Sequence, residues 1–344
     1  MRVLNTVIVG LLGLIFGCER PFVAPLALTF PAPTVDPVDT GSVDLDGASS
    51  GWIESTKMDD GFGASVAFGN QQIWIGAPFG DVGTVYRWIG TGLDPALTGV
   101  GKLGSHLAWT TEGLWASAPL TNGGNGAVLL TDGTVRFAGQ RGTGIALTGT
   151  GSGGFAWESG WTLSSGDTET TSGRPTSIAI DKDGNVGVGM SHGTACFSVN
   201  NRTVLRPEGS DEAGFSLASS DLNGDSAPDW IVGAPGANQV FALDGNTLET
   251  IQVWQGSGRF GHAVEVCDDQ NGTPHLVIGA PFASGAGSVS VFPAFAVEAS
   301  ETWSGRHTGA QLGTSLACMP DGVLAGAPGH IDRPASVLWA RFGS

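Results

Sequence analysis

Positive charge is scarce in this chain of 344 residues, which contains 15 Lys and Arg against 32 Asp and Glu and has a formal net charge of −17. A surface with this balance repels the phosphates of nucleic acids and anionic lipid headgroups. Nucleic acid is therefore not an expected partner. Cations, neutral glycans and basic protein surfaces remain as candidate partners.

Helical periodicity and enzyme signatures are also lacking. No segment after residue 20 shows the pattern of an amphipathic helix, and the 56 glycines indicate many tight turns instead. The six histidines do not have the spacing of zinc ligands. Residues 47–51 match G-x-S-x-G and residues 149–154 match G-x-G-x-x-G, but neither segment stands at a strand-to-helix turn. Neither match therefore predicts a nucleophile or a dinucleotide site.

The chain contains a repeated sequence motif. It begins as in Phe62-Gly63-Ala64-Ser65-Val66-Ala67 and ends, after a loop and an apolar run, as in Gly76-Ala77-Pro78. Gly76 and its last counterpart Gly326 are 250 positions apart (326 − 76), or six steps of about 40 to 50 residues, the length that four short strands require. Seven starts can be placed, near Phe62, Leu103, Thr143, Arg174, Ala213, Phe260 and Leu312.

Each unit predicts strands. Segments such as residues 72–75 and 83–88 are rich in β-branched and aromatic residues and are bounded by Gly and Asp. Small residues at the start of a unit suit an innermost strand, because strands converge at the axis of a ring. The proline of Gly-Ala-Pro then ends the second strand, since it cannot donate to a continuing ladder.

These repeats resemble the FG-GAP repeats of the integrin α-subunit β-propeller, over about residues 52–343. The resemblance is clearest in units one, five, six and seven. It implies an all-β fold, a seven-bladed β-propeller of four-stranded antiparallel blades.

The closure of the ring is predicted from the strand pattern. The seventh unit ends after a third strand at residues 336–340 and lacks a fourth. Residues 51–55 have the pattern of the fourth strands that precede other units. We therefore expect this N-terminal strand to complete the seventh blade and remove an exposed edge.

The N-terminal residues predict export and lipidation. Residues 7–17 form an apolar stretch of 11 residues, too short to span a bilayer and typical of a signal-peptide core. Ile15-Phe16-Gly17-Cys18 resembles a bacterial lipobox, and the alternative is an ordinary secretory signal with a chance cysteine. The expected organisation is a lipoprotein signal peptide (1–17), lipidated Cys18 with a Pro- and Asp-rich tether (18–50), and a propeller (51–344). We expect a monomeric lipoprotein in the bacterial cell envelope, at the outer membrane.

The strongest candidate site is an acidic segment of unit five. The side chains of Asp221, Asn223, Asp225 and Asp229 and the backbone carbonyl of Ala227 provide hard oxygen ligands suited to Ca²⁺. The same positions match the calcium loop of integrin-type propellers. The alternative is an acidic hairpin whose side chains bond their own backbone. Residues 181–185 predict a plain turn and 268–275 a degenerate loop, so one Ca²⁺ per chain is expected.

Cysteine and tryptophan positions are interpreted from the repeats. Cys267 and Cys318 have nearly equivalent places in the inner strands of adjacent units, which is compatible with a disulfide or with separate buried thiols. Trp74, Trp115 and Trp157 share one repeat position, and Trp52, Trp254 and Trp303 share another. Equivalent placement favours packing between blades over stacking on a sugar.

The fold and the envelope location predict a binding or scaffold protein with a protein or glycan partner. In integrin-like propellers the partner face carries the loops between second and third strands and between blades. Carried over to this sequence, that face includes the candidate contact residues Phe79, Asp81, Phe282 and His330. Two alternatives are an enzyme, a lyase or hydrolase with a site at the axial channel, and an envelope-assembly component without a soluble ligand.

Overall fold

Seven four-stranded antiparallel sheets surround a central axis in the computed structural model of the chain, which describes residues 49–149, 153–192, 195–200, 202–205, 209–329 and 333–343. Neighbouring sheets contact each other through their innermost strands, around the whole ring. The prediction of an all-β, seven-bladed β-propeller is confirmed.

The strands are short, and each sheet except the last follows the order of the chain. Strand β1 (Ser50–Glu54) belongs to blade 7. Blade 1 consists of β2 (Ser65–Gly69), β3 (Gln72–Ala77), β4 (Gly83–Trp88) and β5 (Leu93–Gly99). Blade 2 consists of β6 (Leu107–Thr110), β7 (Gly113–Ser117), β8 (Ala127–Leu130) and β9 (Val135–Ala138). Blade 3 consists of β10 (Ala146–Thr148), β11 (Gly154–Trp157), β12 (Gly160–Leu163) and β13 (Thr168–Thr170).

The remaining blades have the same plan. Blade 4 consists of β14 (Ser177–Ile180), β15 (Val186–Gly189), β16 (Ala195–Val199) and β17 (Arg202–Leu205). Blade 5 consists of β18 (Ser216–Ser220), β19 (Asp229–Ala234), β20 (Gln239–Leu243) and β21 (Thr250–Gln255). Blade 6 consists of β22 (Ala263–Asp268), β23 (Pro274–Ala280), β24 (Ser288–Pro293) and β25 (Glu301–Ser304). Blade 7 consists of β26 (Ser315–Met319), β27 (Gly322–Ala327), β28 (Ser336–Arg341) and β1.

Because successive strands are antiparallel, the loops alternate between two faces of the ring. We call the face with the second-to-third-strand loops and the blade connections the upper face, and the opposite face the lower face. Two helical turns lie in upper-face loops, α1 (Thr121–Gly124) and a 3-10 turn (Ala283–Gly285). In the part of the chain that the structure describes, no helix has the length and apolar character needed to cross a membrane.

Residues of the repeated motif join neighbouring blades. Ser65 Oγ donates to the carbonyl oxygen of Gly104 in the next blade at 2.7 Å, and Gly76 lies against the same carbonyl. A Cβ atom at Gly76 would overlap that oxygen, so the close approach of the two blades requires glycine there. We call this arrangement the serine–glycine bridge. It recurs at three other interfaces, through Ser177, Ser216 and Ser315, at 3.0, 2.9 and 2.9 Å.

The ring closes through β1, as the sequence predicted. This strand pairs antiparallel with β28, from Ser50 opposite Ala340 to Glu54 opposite Ser336, and it begins one residue earlier than expected. The side chain of Ile53 is only 1% exposed and belongs to the apolar cluster between blades 7 and 1. The N-terminal strand therefore contributes both backbone pairing and buried apolar surface to the last blade.

A disulfide and the tryptophans reinforce contacts between blades. Cys267 of β22 and Cys318 of β26 form a disulfide with a Cα–Cα distance of 5.2 Å, which joins blades 6 and 7 covalently. Trp74, Trp115 and Trp254 are at most 5% exposed and lie in apolar clusters between blades. The interpretation of these tryptophans as packing residues is confirmed.

Candidate functional site

The acidic segment predicted to bind calcium is the lower-face turn between β18 and β19. Asp221 accepts hydrogen bonds from two N–H groups further along this turn, at 2.7 and 2.9 Å. Asn223 Oδ1 accepts from the N–H of Asp225 at 2.9 Å, and Asp225 Oδ1 accepts from the N–H of Ala227 at 2.8 Å. These are the hydrogen bonds of successive Asx turns, in which side chains fix the path of the backbone.

Asp229 anchors the turn from inside the blade. Its side chain is fully buried at the start of β19, and it accepts from the N–H of Leu222 at 2.9 Å and from that of Gly245 at 2.8 Å. Burial raises the pKa of this carboxyl, while the backbone N–H donors oppose the rise. Asp229 thereby ties the first-to-second-strand turn to the neighbouring third-to-fourth-strand turn.

Two residues of that neighbouring turn reach the acidic segment and were not predicted. Asn223 Nδ2 donates to Asp244 Oδ2 at 3.1 Å, and Asn246 Nδ2 donates to Asp225 Oδ2 at 3.0 Å. Arg202 of blade 4 donates to the carbonyl oxygen of Asn246 at 2.7 Å. The signal that could have found them is topological, because both turns of a blade lie on the same face.

The donor chemistry of this turn suits a hard cation, since it offers carboxylate, amide and carbonyl oxygens. Each carboxylate oxygen has a second lone pair beyond its hydrogen bond. Within the described residues, however, no three Asp, Glu, His or Cys side chains converge on a position for a metal ion. The turn has suitable oxygens in a backbone-bonded arrangement, and binding would require the side chains to reorient.

The corresponding turns of units four and six are held by single aspartates. Asp181 Oδ1 accepts from the N–H groups of Asp183 and Asn185 at 2.9 and 2.8 Å, which confirms the plain turn predicted there. Asp269 Oδ1 makes the same pair of bonds in blade 6, both at 2.8 Å. Both turns also bond to other segments, since Asn200 Nδ2 donates to Asn185 Oδ1 at 2.8 Å and Gln270 Nε2 donates to Asp321 of blade 7.

On the upper face, Phe79 is held by its backbone while its ring is 46% exposed. Its N–H donates to the carbonyl oxygen of Asp60 at 2.8 Å, in the connection that enters blade 1. The ring lies against Gly61, where a Cβ atom would collide with it, and Lys102 Nζ is 5.2 Å from the ring centroid. The ring thus lies across the blade connections on either side of it and faces solvent.

Exposed apolar side chains concentrate around Phe79. Of the eleven large apolar side chains that are strongly exposed in the described residues, six lie in upper-face loops and two in lower-face turns. Five of the six follow one another around the ring from the entry to blade 1 as far as the blade 2 loop, and we call them the apolar arc: Met58, Phe79, Val82, Val100 and Leu120. Leu120 is held like Phe79, because its N–H donates to the carbonyl oxygen of Gly101 at 3.0 Å.

The predicted partner residues do not form one cluster. Asp81 is exposed beside Phe79 in the same loop. Phe282 is 53% exposed in the loop of blade 6, and blade 7 separates it from the apolar arc. His330 lies outside the described residues, and so do the predicted signal peptide, Cys18 and all but the last two residues of the predicted tether. Leu120 was missed, although it follows Ala118-Pro119 as Phe79 follows Ala77-Pro78.

The axial channel contains a carboxyl that the sequence reasoning also missed. The innermost strands of all seven blades enclose a cavity of about 540 Å³, and Glu265 of β22 lies in its wall. Burial raises the pKa of this carboxyl to about 7. Aligning the seven units would have found it, because Ala67, Ala218 and Ala317 occupy the same repeat position.

Fold and surface together define a seven-bladed β-propeller with an acidic lower-face turn and an apolar arc on its upper face. No protein-family model matches the chain. Part of it is similar to phosphatidylinositol-glycan-specific phospholipase D. The rat protein (Rattus norvegicus) is 32% identical over 25% of this chain and 14% of its own length. The human protein (Homo sapiens) is 34% identical over 20% and 11%. The matched part is thus a small fraction of these relatives.

Solved structures resemble the chain over most of its length. A streptogramin B lyase superposes with a TM-score of 0.60 at 12% identity, covering 84% of this chain and 97% of the lyase. The computationally designed Ika8 protein superposes with a TM-score of 0.52 at 14% identity, covering 83% and 98%. At these identities the likeness shows the shared fold.

Proposed function

We propose that this chain is a lipid-anchored binding or scaffold protein of the bacterial cell envelope, and that its upper face binds a protein or glycan partner. The observation that carries the proposal is the apolar arc. Two of its members, Phe79 and Leu120, are exposed on loops where their own backbone N–H groups are fixed by hydrogen bonds, so they can contact a partner with little loss of conformational entropy. Strongly exposed apolar patches on soluble domains are characteristic of interaction sites.

The partner face is tested by replacing two residues of the apolar arc, Phe79→Ser with Leu120→Ser. The matched control is Ile89→Ser with Val297→Ser, which removes comparably exposed apolar side chains from the lower face. The affinity of the propeller for isolated envelopes should fall at least about tenfold in the Phe79→Ser, Leu120→Ser double variant only. The reason is that an apolar side chain central to an interface contributes roughly 2 kcal/mol to binding. Protease or glycan-hydrolase treatment of the envelopes then distinguishes a protein partner from a glycan. Equal binding by both pairs would contradict the proposal.

The lipid anchor rests on the lipobox-like segment that ends at Cys18. Cys18→Ser should move the protein from the membrane fraction to a soluble or unprocessed form, because two or three acyl chains hold a protein stably in a bilayer. Mass spectrometry of the mature N-terminus provides an independent measurement. Unchanged fractionation without acyl mass on Cys18 would leave the ordinary secretory signal as the better interpretation.

Calcium is proposed to stabilise the lower-face turn of blade 5, an inference that rests on the ligand spacing and on the FG-GAP resemblance. With a dissociation constant of about 10⁻⁴ M, it would add roughly 1.4 kcal/mol at millimolar concentration. A chelator should then lower the melting temperature, and Asp225→Ala should abolish that effect. Asp183→Ala is the matched control, because it alters another lower-face turn of the same kind. A melting temperature indifferent to chelator would favour the plain acidic hairpin.

An enzyme with a site at the axial channel is the second candidate. Glu265 favours it, because a carboxyl whose pKa is near 7 is suited to proton transfer at neutral pH. An enzyme would be recognised by turnover that Glu265→Gln slows and that the Phe79→Ser, Leu120→Ser pair leaves unchanged.

A further inference from the structure

One position of the repeat distinguishes blade 6 from the others at the axis of the ring. The sixth residue from the start of each repeated motif lies on the channel wall. In every blade except blade 6 it is small: Ala67, Ala108, Thr148, Ala179, Ala218 and Ala317. Blade 6 has Glu265 there. At this one repeat position a long acidic side chain therefore replaces a methyl group or a hydroxyl.

This carboxyl has no partner in the part of the chain that the structure describes. Among the described residues no hydrogen bond or ion pair to Glu265 is formed, and burial is the one cause of its raised pKa. The other charged groups at the cavity are Asp181, which accepts bonds from its own turn, and Lys182, which pairs with Asp183 at 3.2 Å. Glu265 is partly exposed, at the wall of the channel, so its unpaired carboxyl is accessible to a ligand. Carboxyls with raised pKa values are frequent at functional sites.

We propose that the axial channel binds a small organic cation whose ammonium group pairs with the Glu265 carboxylate. A single carboxylate matches a single positive charge, and no set of further acidic or histidine ligands stands near it for a divalent metal within the described residues. Phe68 of blade 1 and Trp109 of blade 2 line the same cavity, which therefore also offers apolar surface to the organic part of the cation. A volume of about 540 Å³ is in the range of ordinary ligand pockets. This inference is independent of the proposed partner face.

The test uses choline as the charged probe and 3,3-dimethylbutan-1-ol as its neutral isostere, with binding measured by calorimetry on the purified propeller. At pH 8 the wild-type protein should bind choline at least about tenfold more tightly than the Glu265→Gln variant does. The neutral isostere should bind the two proteins equally. Glu298→Gln is the matched control, because it removes a carboxylate that is exposed in a lower-face turn.

Proton competition gives a second readout. Because the carboxyl titrates near pH 7, choline affinity should fall about 30-fold between pH 8 and pH 5.5, and binding at pH 7 should release about half a proton. Both effects should vanish in Glu265→Gln, which removes an unpaired charge and is expected to fold. The proposal would be overturned by choline binding that is unaffected by Glu265→Gln, or by no choline binding at pH 8. It would also be overturned if the wild-type protein bound the neutral isostere as tightly as it binds choline.

Discussion

Replacing Ile53 with alanine should weaken the closure of the ring. Ile53 is 1% exposed in β1 and packs in one cluster with Phe62, Val337 and Trp339. The substitution removes three buried carbon groups, which contribute about 0.8 kcal/mol each, or roughly 2.4 kcal/mol in transfer free energy. The surrounding side chains belong to different strands and cannot collapse fully into the space, so we expect a total loss of about 3 to 4 kcal/mol.

The loss is measured by urea denaturation, with tryptophan fluorescence as the signal. Ile251→Ala is the matched control, because Ile251 also lies in an outermost strand, β21, but is 41% exposed. Its substitution should change the free energy of unfolding by no more than about 0.5 kcal/mol. If Ile53→Ala costs no more than Ile251→Ala, then β1 does not hold the last blade closed and the assignment of the closing strand as a stabilising element is wrong.

Three further outcomes are expected. Gly326→Ala should destabilise the ring by about 2 to 3 kcal/mol, because the new Cβ would overlap a carbonyl of blade 1, whereas Gly92→Ala, with open space around it, should be neutral in urea denaturation. The Cys267→Ser, Cys318→Ser variant should lose about 4 kcal/mol for a loop of 51 residues, and reductant should lower the melting temperature of the wild-type protein but not of this variant. Because the folded protein holds the Glu265 proton up to about pH 7 against an ordinary pKa of 4.5, its stability should fall by up to about 3 kcal/mol as pH rises through that window. Glu265→Gln should lack this decline, and parallel stability curves for the two proteins would contradict it.

Blade number and ring closure were predictable because they depend on local patterns. The Gly-Ala-Pro motif ends a strand wherever it occurs, and the number of residues between successive motifs determines the number of blades. Residues 51–55 were assigned to the last blade because its strand count was incomplete. Blades 3 and 4 were harder, since some of their strands have only three or four residues and too few side chains to show an alternating pattern.

The candidate sites were less predictable, because they depend on which loops meet in space. Asp244 and Asn246 follow a different strand from the acidic segment that they contact. The choice between a disulfide and two thiols at Cys267 and Cys318 required the distance between two inner strands. Glu265 was recognisable only by comparing units with one another, since a single glutamate in a strand is ordinarily a solvated residue.

The serine–glycine bridge is not present at every blade interface, and the interfaces that lack it indicate where the ring should open first. Between blades 2 and 3, His106 takes the serine position and bonds the Gly144 carbonyl instead. Between blades 6 and 7 the position is Ala263, and the disulfide from Cys267 of the same strand joins the two blades. Between blades 3 and 4 the position is Ala146, with neither substitute among the described residues. A ring opens at its weakest joint, so amide hydrogen exchange should be fastest across this seam. Opening there would turn the ring into an arc and expose the apolar residues packed in the seam, such as Trp161 and Ile178, to aggregation.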